Sequence, residues 1–143
     1  VGELLQRDGF RVAVGESCTG GLGTARLVDI PGSSSYVETG VVAYSNEVKR
    51  RVLGVDPELL TTEGAVSEAV AVAMAEGARR VGATDIGIGV TGVAGPGGGS
   101  DEKPVGTVCV GVVGPGSEQE ARTAQFPGDR AMIRRLATQT APW

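Results

Sequence analysis

Six consecutive residues, Glu16-Ser17-Cys18-Thr19-Gly20-Gly21, place a carboxylate, two hydroxyls and a thiol ahead of two glycines. They follow a short β-branched run, Arg11 to Gly15, and lead into a segment read as a helix that opens within Cys18 to Gly21 and runs to about Val28. A strand-to-helix junction exposes a hydroxyl at the end of the strand and aims unpaired backbone N–H groups at whatever lies beside it. That suits a nucleophile, Ser17, next to an oxyanion hole made by the N–H groups of Thr19, Gly20 and Gly21. The same residues also suit a plain helix start, with Ser17 or Thr19 as the cap and the glycines as a turn.

A serine nucleophile needs a base, and the chain contains no histidine. That absence removes the Ser-His-Asp triad, the Cys-His dyad and the HExxH zinc site together. The usual substitute is a lysine held neutral by burial. Of the 13 basic residues only Lys49 and Lys103 are lysines. Lys49 closes the run Tyr44-Ser45-Asn46-Glu47-Val48-Lys49, so it is the candidate base, acting directly or through Tyr44. A solvated helix lysine is the alternative. Cys18 is a weaker nucleophile than Ser17, because nothing in the sequence obviously lowers its pKa. With Cys109, far away in the chain, it reads as one of two reduced thiols rather than half of a disulfide or metal pair.

A third feature runs from Thr91-Gly92 through Gly95-Pro96-Gly97-Gly98-Gly99 to Lys103-Pro104. Glycines after a strand leave main-chain N–H groups accessible, so Gly97 and Gly98 are candidates for holding a phosphate or ribose, and Thr91 for assisting the oxyanion. A flexible surface hairpin is the alternative. The loop is not a Walker A motif, since no Gly-Lys dipeptide occurs. Gly87 to Gly92 spells GxGxxG, but inside a strand with no helix after it, so the match is accidental. Arg130, after Gly128-Asp129, falls in the first turn of the last helix, with Arg134 one turn on along the same face. Cations are unfavourable at a helix N-terminus, which an anionic ligand would offset; solvated arginines are the alternative.

The elements that must hold these groups are set by periodicity and caps. Residues 3–8 read as a helix closed by Gly9, and Tyr36 to Tyr44 as a strand. Ser45 caps a short helix ending at Gly54. Ser67 caps the clearest helix, whose apolar face is Val70, Ala71, Met74, Ala78 and Val81. Strands are expected over Asp85 to Thr91, Val105 to Val113 and, as an edge, Glu118 to Phe126; Asp129 caps a last helix to about Gln139. Early alternation of helix and strand, with hairpin-like strands after it, predicts an α/β single-domain sandwich over residues 1–143, a mixed β-sheet covered by helices.

Composition narrows the function. At 143 residues and 41% hydrophobic the chain can bury one core. A net charge of −4 and a pI near 4.8, without a basic run, argue against a nucleic-acid partner. No apolar stretch is long enough to span a membrane and the start lacks a signal-peptide pattern, so a soluble cytoplasmic protein is expected. The first residue is Val1 rather than Met, so the natural chain could extend upstream. No metal-ligand spacing or cofactor motif is found. The apolar run Val105 to Val113 suggests pairing with a second copy, a dimer being favoured.

In series, ESCTGG, YSNEVK, LGV, GAVSE, TGVAGPGGGSDEKPVGTV and FPGDR resemble the CinA C-terminal domain family across nearly the whole chain. The resemblance implies a small-molecule nucleotide substrate: hydrolysis of nicotinamide mononucleotide to nicotinate mononucleotide and ammonia, with Ser17 as nucleophile, Tyr44 and Lys49 as its partners, and Thr91, Gly92 and Arg130 in the site. It also implies that such a domain occurs fused behind a larger one resembling molybdopterin-binding proteins. A non-catalytic nucleotide-binding or regulatory module is the competing reading. The end at Ala141-Pro142-Trp143 reads as shorter than is usual in the family.

Overall fold

The structure, a computed structural model, describes residues 1–139; the end at Ala141-Pro142-Trp143 lies outside the described residues. After α1 (Gly2–Asp8), β1 (Val12–Glu16) leads through α2 (Leu22–Val28) to β2 (Val37–Val42), which pairs parallel with β1. The chain then returns through α3 (Asn46–Arg51), α4 (Pro57–Thr62) and α5 (Glu68–Gly82) to β3 (Ile86–Gly92), parallel to β1 on its other side. β4 (Thr107–Val113) and β5 (Gln119–Gln125) complete an antiparallel meander, and α6 (Arg130–Gln139) comes last. The result is a mixed α/β sheet in the order β2-β1-β3-β4-β5, with helices on both faces.

The two faces are built from different residues. On one, Val12, Val14, Ile88, Val90, Val108 and Val110 pack against Leu5 of α1, Leu27 of α2 and Ile133 and Ala137 of α6. On the other the strands offer Ala13, Gly15, Gly87, Gly89 and Gly111, and α5 lies directly on this floor with Val70, Met74 and Ala78. A Cβ at Gly89 would overlap the carbonyl oxygen of Ala71, and one at Gly87 that of Ala75. The GxGxxG string is therefore a seat for a helix, its glycines required by close backbone approach rather than by a phosphate.

Local departures have local causes. β1 continues to Glu16, and α2 starts at Leu22 rather than within Cys18 to Gly21, because Gly20 and Gly21 turn the chain in left-handed conformation at φ 61 and 94. α4 is an element that the sequence reading does not contain, although Asp56 caps it by accepting from Glu58 N–H and Pro57 occupies its first turn. Val81 is 47% exposed, so the buried face of α5 ends at Ala78. Val105 to Val113 offers no pairing edge: β4 sits inside the sheet, hydrogen-bonded on both sides, and β5 forms the edge. That removes the ground for expecting a dimer. Among the described residues no helix is long and apolar enough to cross a membrane.

Candidate functional site

The junction after β1 is held by a residue that does not face the cavity. Glu16 is fully buried, and its Oε2 accepts the N–H groups of Gly21 and Gly23 at 3.1 and 2.9 Å. Its Oε1 accepts both the N–H and the hydroxyl of Thr24, each at 2.7 Å. The carboxylate thus caps α2 from the preceding strand, where the aligned peptide dipoles favour negative charge. The amide of Gly20 is also taken, donating to Ser17 O at 3.1 Å. Gly20 and Gly21 are therefore turn-forming, with the Gly20 N–H taken by Ser17 O and the Gly21 N–H by Glu16, so neither amide is left for a substrate. The amides left without a backbone or carboxylate acceptor among the described residues are those of Cys18 and Thr19, which lie beside the Cys18 sulfur.

Ser17 begins where β1 ends, its N–H fixed to Val90 O of β3 at 2.9 Å. Lys49, on α3, reaches it from the other face of the sheet and donates from Nζ to Ser17 Oγ at 3.0 Å. Ser45 sets the start of α3 by accepting Val48 N–H, which fixes the direction in which Lys49 emerges. Lys49 is only 2% exposed and forms no ion pair among the described residues; burial pushes its pKa below the ordinary lysine value. Its second contact is a backbone carbonyl, Tyr44 O at 3.4 Å. The Tyr44 side chain is 60% exposed and its hydroxyl accepts from Arg130 Nη2 at 2.8 Å, so it is aimed at Arg130. Cys18, next to the nucleophile, is buried, and burial is the main cause that pushes its thiol up to about 11.

These groups line a cavity of about 210 Å³ at the carboxyl ends of the three parallel strands, the crevice where open α/β sheets bind ligands. Ser17, Tyr44, Lys49, Thr91, Gly92 and Arg130 all border it. Thr91 is buried and donates its hydroxyl proton to Ala65 O at 2.7 Å, tying the end of β3 to the segment before α5. Arg130 donates from Nη1 to Gly95 O at 2.7 Å, so it anchors the glycine loop at the cavity rim. Thr19, Gly20, Gly21, Gly97 and Gly98 do not line the cavity. Thr19 is fully buried with no partner for its Oγ1 among the described residues, and Gly97 and Gly98 lie exposed on the loop.

Residues that the sequence reading passed over complete the lining: Asn46 in the first turn of α3, Ala65 and Val66 ahead of α5, and Ala94 after β3. Ala65 and Val66 carry no chemistry of their own and are brought in only by the crossover. Asn46 could have been found, since it lies between Tyr44 and Lys49 at the start of the same helix. Among the described residues no cluster of His, Cys, Asp or Glu could hold a metal ion.

Over residues 1–142 the chain matches the CinA C-terminal domain family. It is 57% identical over 137 residues to a CinA-like protein of Mycobacterium avium, covering 93% of this chain and 32% of that protein. It is 51% identical over 141 residues to a CinA-like protein of Syntrophobacter fumaroxidans, covering 99% and 33%. The chain thus spans about a third of the length of the curated relatives it matches. Among solved structures, the competence/damage inducible protein CihA of Agrobacterium tumefaciens superposes with a TM-score of 0.93 at 41% identity, over 97% of this chain and 85% of that one. A CinA superfamily protein of Escherichia coli superposes with a TM-score of 0.92 at 32% identity, over 97% and 80%. Sequence and fold agree along the whole described length, and the chain belongs to the CinA C-terminal domain family.

Proposed function

We propose that this domain is a metal-independent serine amidohydrolase that converts nicotinamide mononucleotide to nicotinate mononucleotide and ammonia, a cytoplasmic salvage step for pyridine nucleotides. The observation that carries the reaction type is the 3.0 Å contact between Ser17 Oγ and a buried Lys49 that has no carboxylate partner among the described residues. The substrate rests on the resemblance and on a cationic rim, Arg130, in an acidic protein.

In this reading Ser17 Oγ attacks the carboxamide carbon while Lys49 Nζ takes the hydroxyl proton. The two atoms are already in hydrogen-bond contact, so no relay is required and Tyr44 serves the rim with Arg130. Negative charge on the tetrahedral oxygen falls to the amides of Cys18 and Thr19, which have no oxygen acceptor among the described residues, a contribution of about 3 kcal/mol for a well-placed donor. Collapse returns the proton from Lys49 to the leaving nitrogen, ammonia departs, and an ester on Ser17 remains. Water, deprotonated by Lys49, cleaves that ester; the acid leaves and Ser17 regains its proton. The cavity, about 210 Å³, is smaller than the roughly 300–1,000 Å³ of pockets that enclose a whole ligand, so it seats the amide and its ring and leaves the ribose and phosphate at the Arg130 rim.

The test is acid quenching of the enzyme during turnover, then mass spectrometry of the peptide that carries Ser17. A nicotinoyl-nucleotide adduct on Ser17 is expected. Steady turnover with no adduct on any serine, and no burst of ammonia, would contradict the covalent route. The coverage of the relatives is consistent with a domain that is fused in a longer protein, and this reading assigns amide hydrolysis to the domain alone.

A further inference from the structure

Arg134 lies on α6, outside the cavity, yet it is bonded to the turn that carries the nucleophile. Its Nε donates to Cys18 O at 3.2 Å and its Nη2 to Thr19 O at 2.9 Å. It has no ion-pair partner among the described residues, so its fork of donors is spent on these two carbonyls. A trans peptide points its C=O and the next residue's N–H in opposite directions. Holding Cys18 O toward α6 therefore turns the Thr19 N–H away from α6, and holding Thr19 O turns the Gly20 N–H away, where it closes on Ser17 O. From the other side Glu16 takes the amides of Gly21 and Gly23. The turn is thus gripped at its carbonyls by a cation and at its later amides by an anion, and the amides of Cys18 and Thr19, beside the Cys18 sulfur, are the ones with no oxygen acceptor among the described residues. Gly20 belongs to the same arrangement, since a Cβ there would come within 3.1 Å of Arg134 Nη2.

We propose that Arg134 is a positioning residue for the reaction: through the carbonyls of Cys18 and Thr19 it sets the peptide orientation that presents their amides to the oxyanion formed at Ser17. The inference rests on the reading of Ser17 as nucleophile. It predicts that Arg134 acts on the chemical step and not on substrate affinity, which a residue serving only to pack α6 on α2 would not do.

The experiment compares wild type, Arg134→Ala and Arg134→Lys in two assays: kcat and KM for nicotinamide mononucleotide, and the rate at which a fluorophosphonate labels Ser17. Arg134→Ala is expected to lower kcat and the labelling rate by tenfold to a hundredfold, somewhat less than the roughly 10²–10³ lost with a whole oxyanion donor, with KM within about twofold. Arg134→Lys, a point charge able to reach one carbonyl, should fall in between. Wild-type kcat and labelling in Arg134→Ala overturn the proposal while leaving the serine reading intact. If Arg134→Ala does not fold, Arg134→Lys decides alone: reduced kcat supports the proposal and wild-type kcat overturns it. A wild-type protein that is not labelled at Ser17 overturns both this proposal and the nucleophile assignment.

Discussion

Replacing Glu16 by Gln exchanges one acceptor oxygen for a donor NH2 in a fully buried side chain whose four hydrogen bonds all come from donors. In the wild type Oε2 accepts two glycine amides, and Oε1 accepts the amide and the hydroxyl of Thr24. The least costly placement of a glutamine keeps its oxygen on Gly21 and Gly23 and puts the NH2 at the Thr24 side. There the Thr24 hydroxyl can rotate to accept, but the Thr24 N–H loses its acceptor and faces another donor. One buried donor left unsatisfied costs about 1–3 kcal/mol, and the bonds that remain drop from charge-assisted to neutral strength. We therefore expect Glu16→Gln to lower unfolding stability by about 2–4 kcal/mol, a fall in Tm of roughly 10 °C for a chain of this length. Urea denaturation monitored by circular dichroism measures it, with an unchanged m-value as the check on two-state behaviour. The control is Glu47→Gln, which breaks only an exposed pair with Arg50 and should stay within about 0.5 kcal/mol. If Glu16→Gln matched that control, the account of Glu16 as the cap of α2 would be refuted.

Other predictions concern the site. Because burial holds the Lys49 pKa down, folded protein gives up this proton before unfolded protein does; stability should rise with pH from the folded pKa up to the ordinary lysine value, and Lys49→Met should abolish that rise in denaturation series at several pH values. The same group predicts that kcat/KM climbs with pH as Lys49 becomes neutral, with the midpoint below the ordinary lysine range; a pH-rate profile with no rise below that range would contradict it as the base. With its thiol pushed up to about 11, Cys18 should resist iodoacetamide at pH 8 until the protein unfolds, and Cys18→Ala should keep its acyl chemistry at Ser17; rapid alkylation of folded protein would refute the burial argument. Arg130→Ala should raise KM for the mononucleotide at least tenfold while leaving KM for free nicotinamide nearly unchanged, and equal effects on both would remove Arg130 from phosphate binding. Gly97→Ala, whose added methyl meets nothing within 4 Å, should change neither KM nor stability by more than about 0.5 kcal/mol.

Much of the fold could be read because its signals are local. The caps at Ser45 and Ser67, the terminator Gly9 and the polar composition of β5 each act within a few residues of the element they define. The candidate groups Ser17, Tyr44, Lys49, Thr91, Gly92 and Arg130 were legible as residue types, and the crossovers from β1 and β2 bring them to one cavity. What could not be read was which donors are already occupied. The side chain of Glu16 folds forward onto α2 and takes amides that the motif alone leaves open to a substrate, a contact between residues five to eight positions apart that no propensity announces. Likewise Arg134 reaches Cys18 and Thr19 from the far end of the chain, and Thr91 gives its proton to Ala65 across the crossover. The run Val105 to Val113 reads equally well as a free surface, because hydrophobicity does not distinguish a central strand buried on both faces from an exposed one.

The most direct test of the central claim is ammonia release from nicotinamide mononucleotide by the wild-type protein and by Ser17→Ala, with EDTA present throughout. The account predicts turnover in the wild type that EDTA leaves unchanged and that disappears in the variant while its fold is retained. Turnover that persists in Ser17→Ala, or its absence from a wild type that still binds the nucleotide, would contradict a serine amidohydrolase built on Ser17 and Lys49.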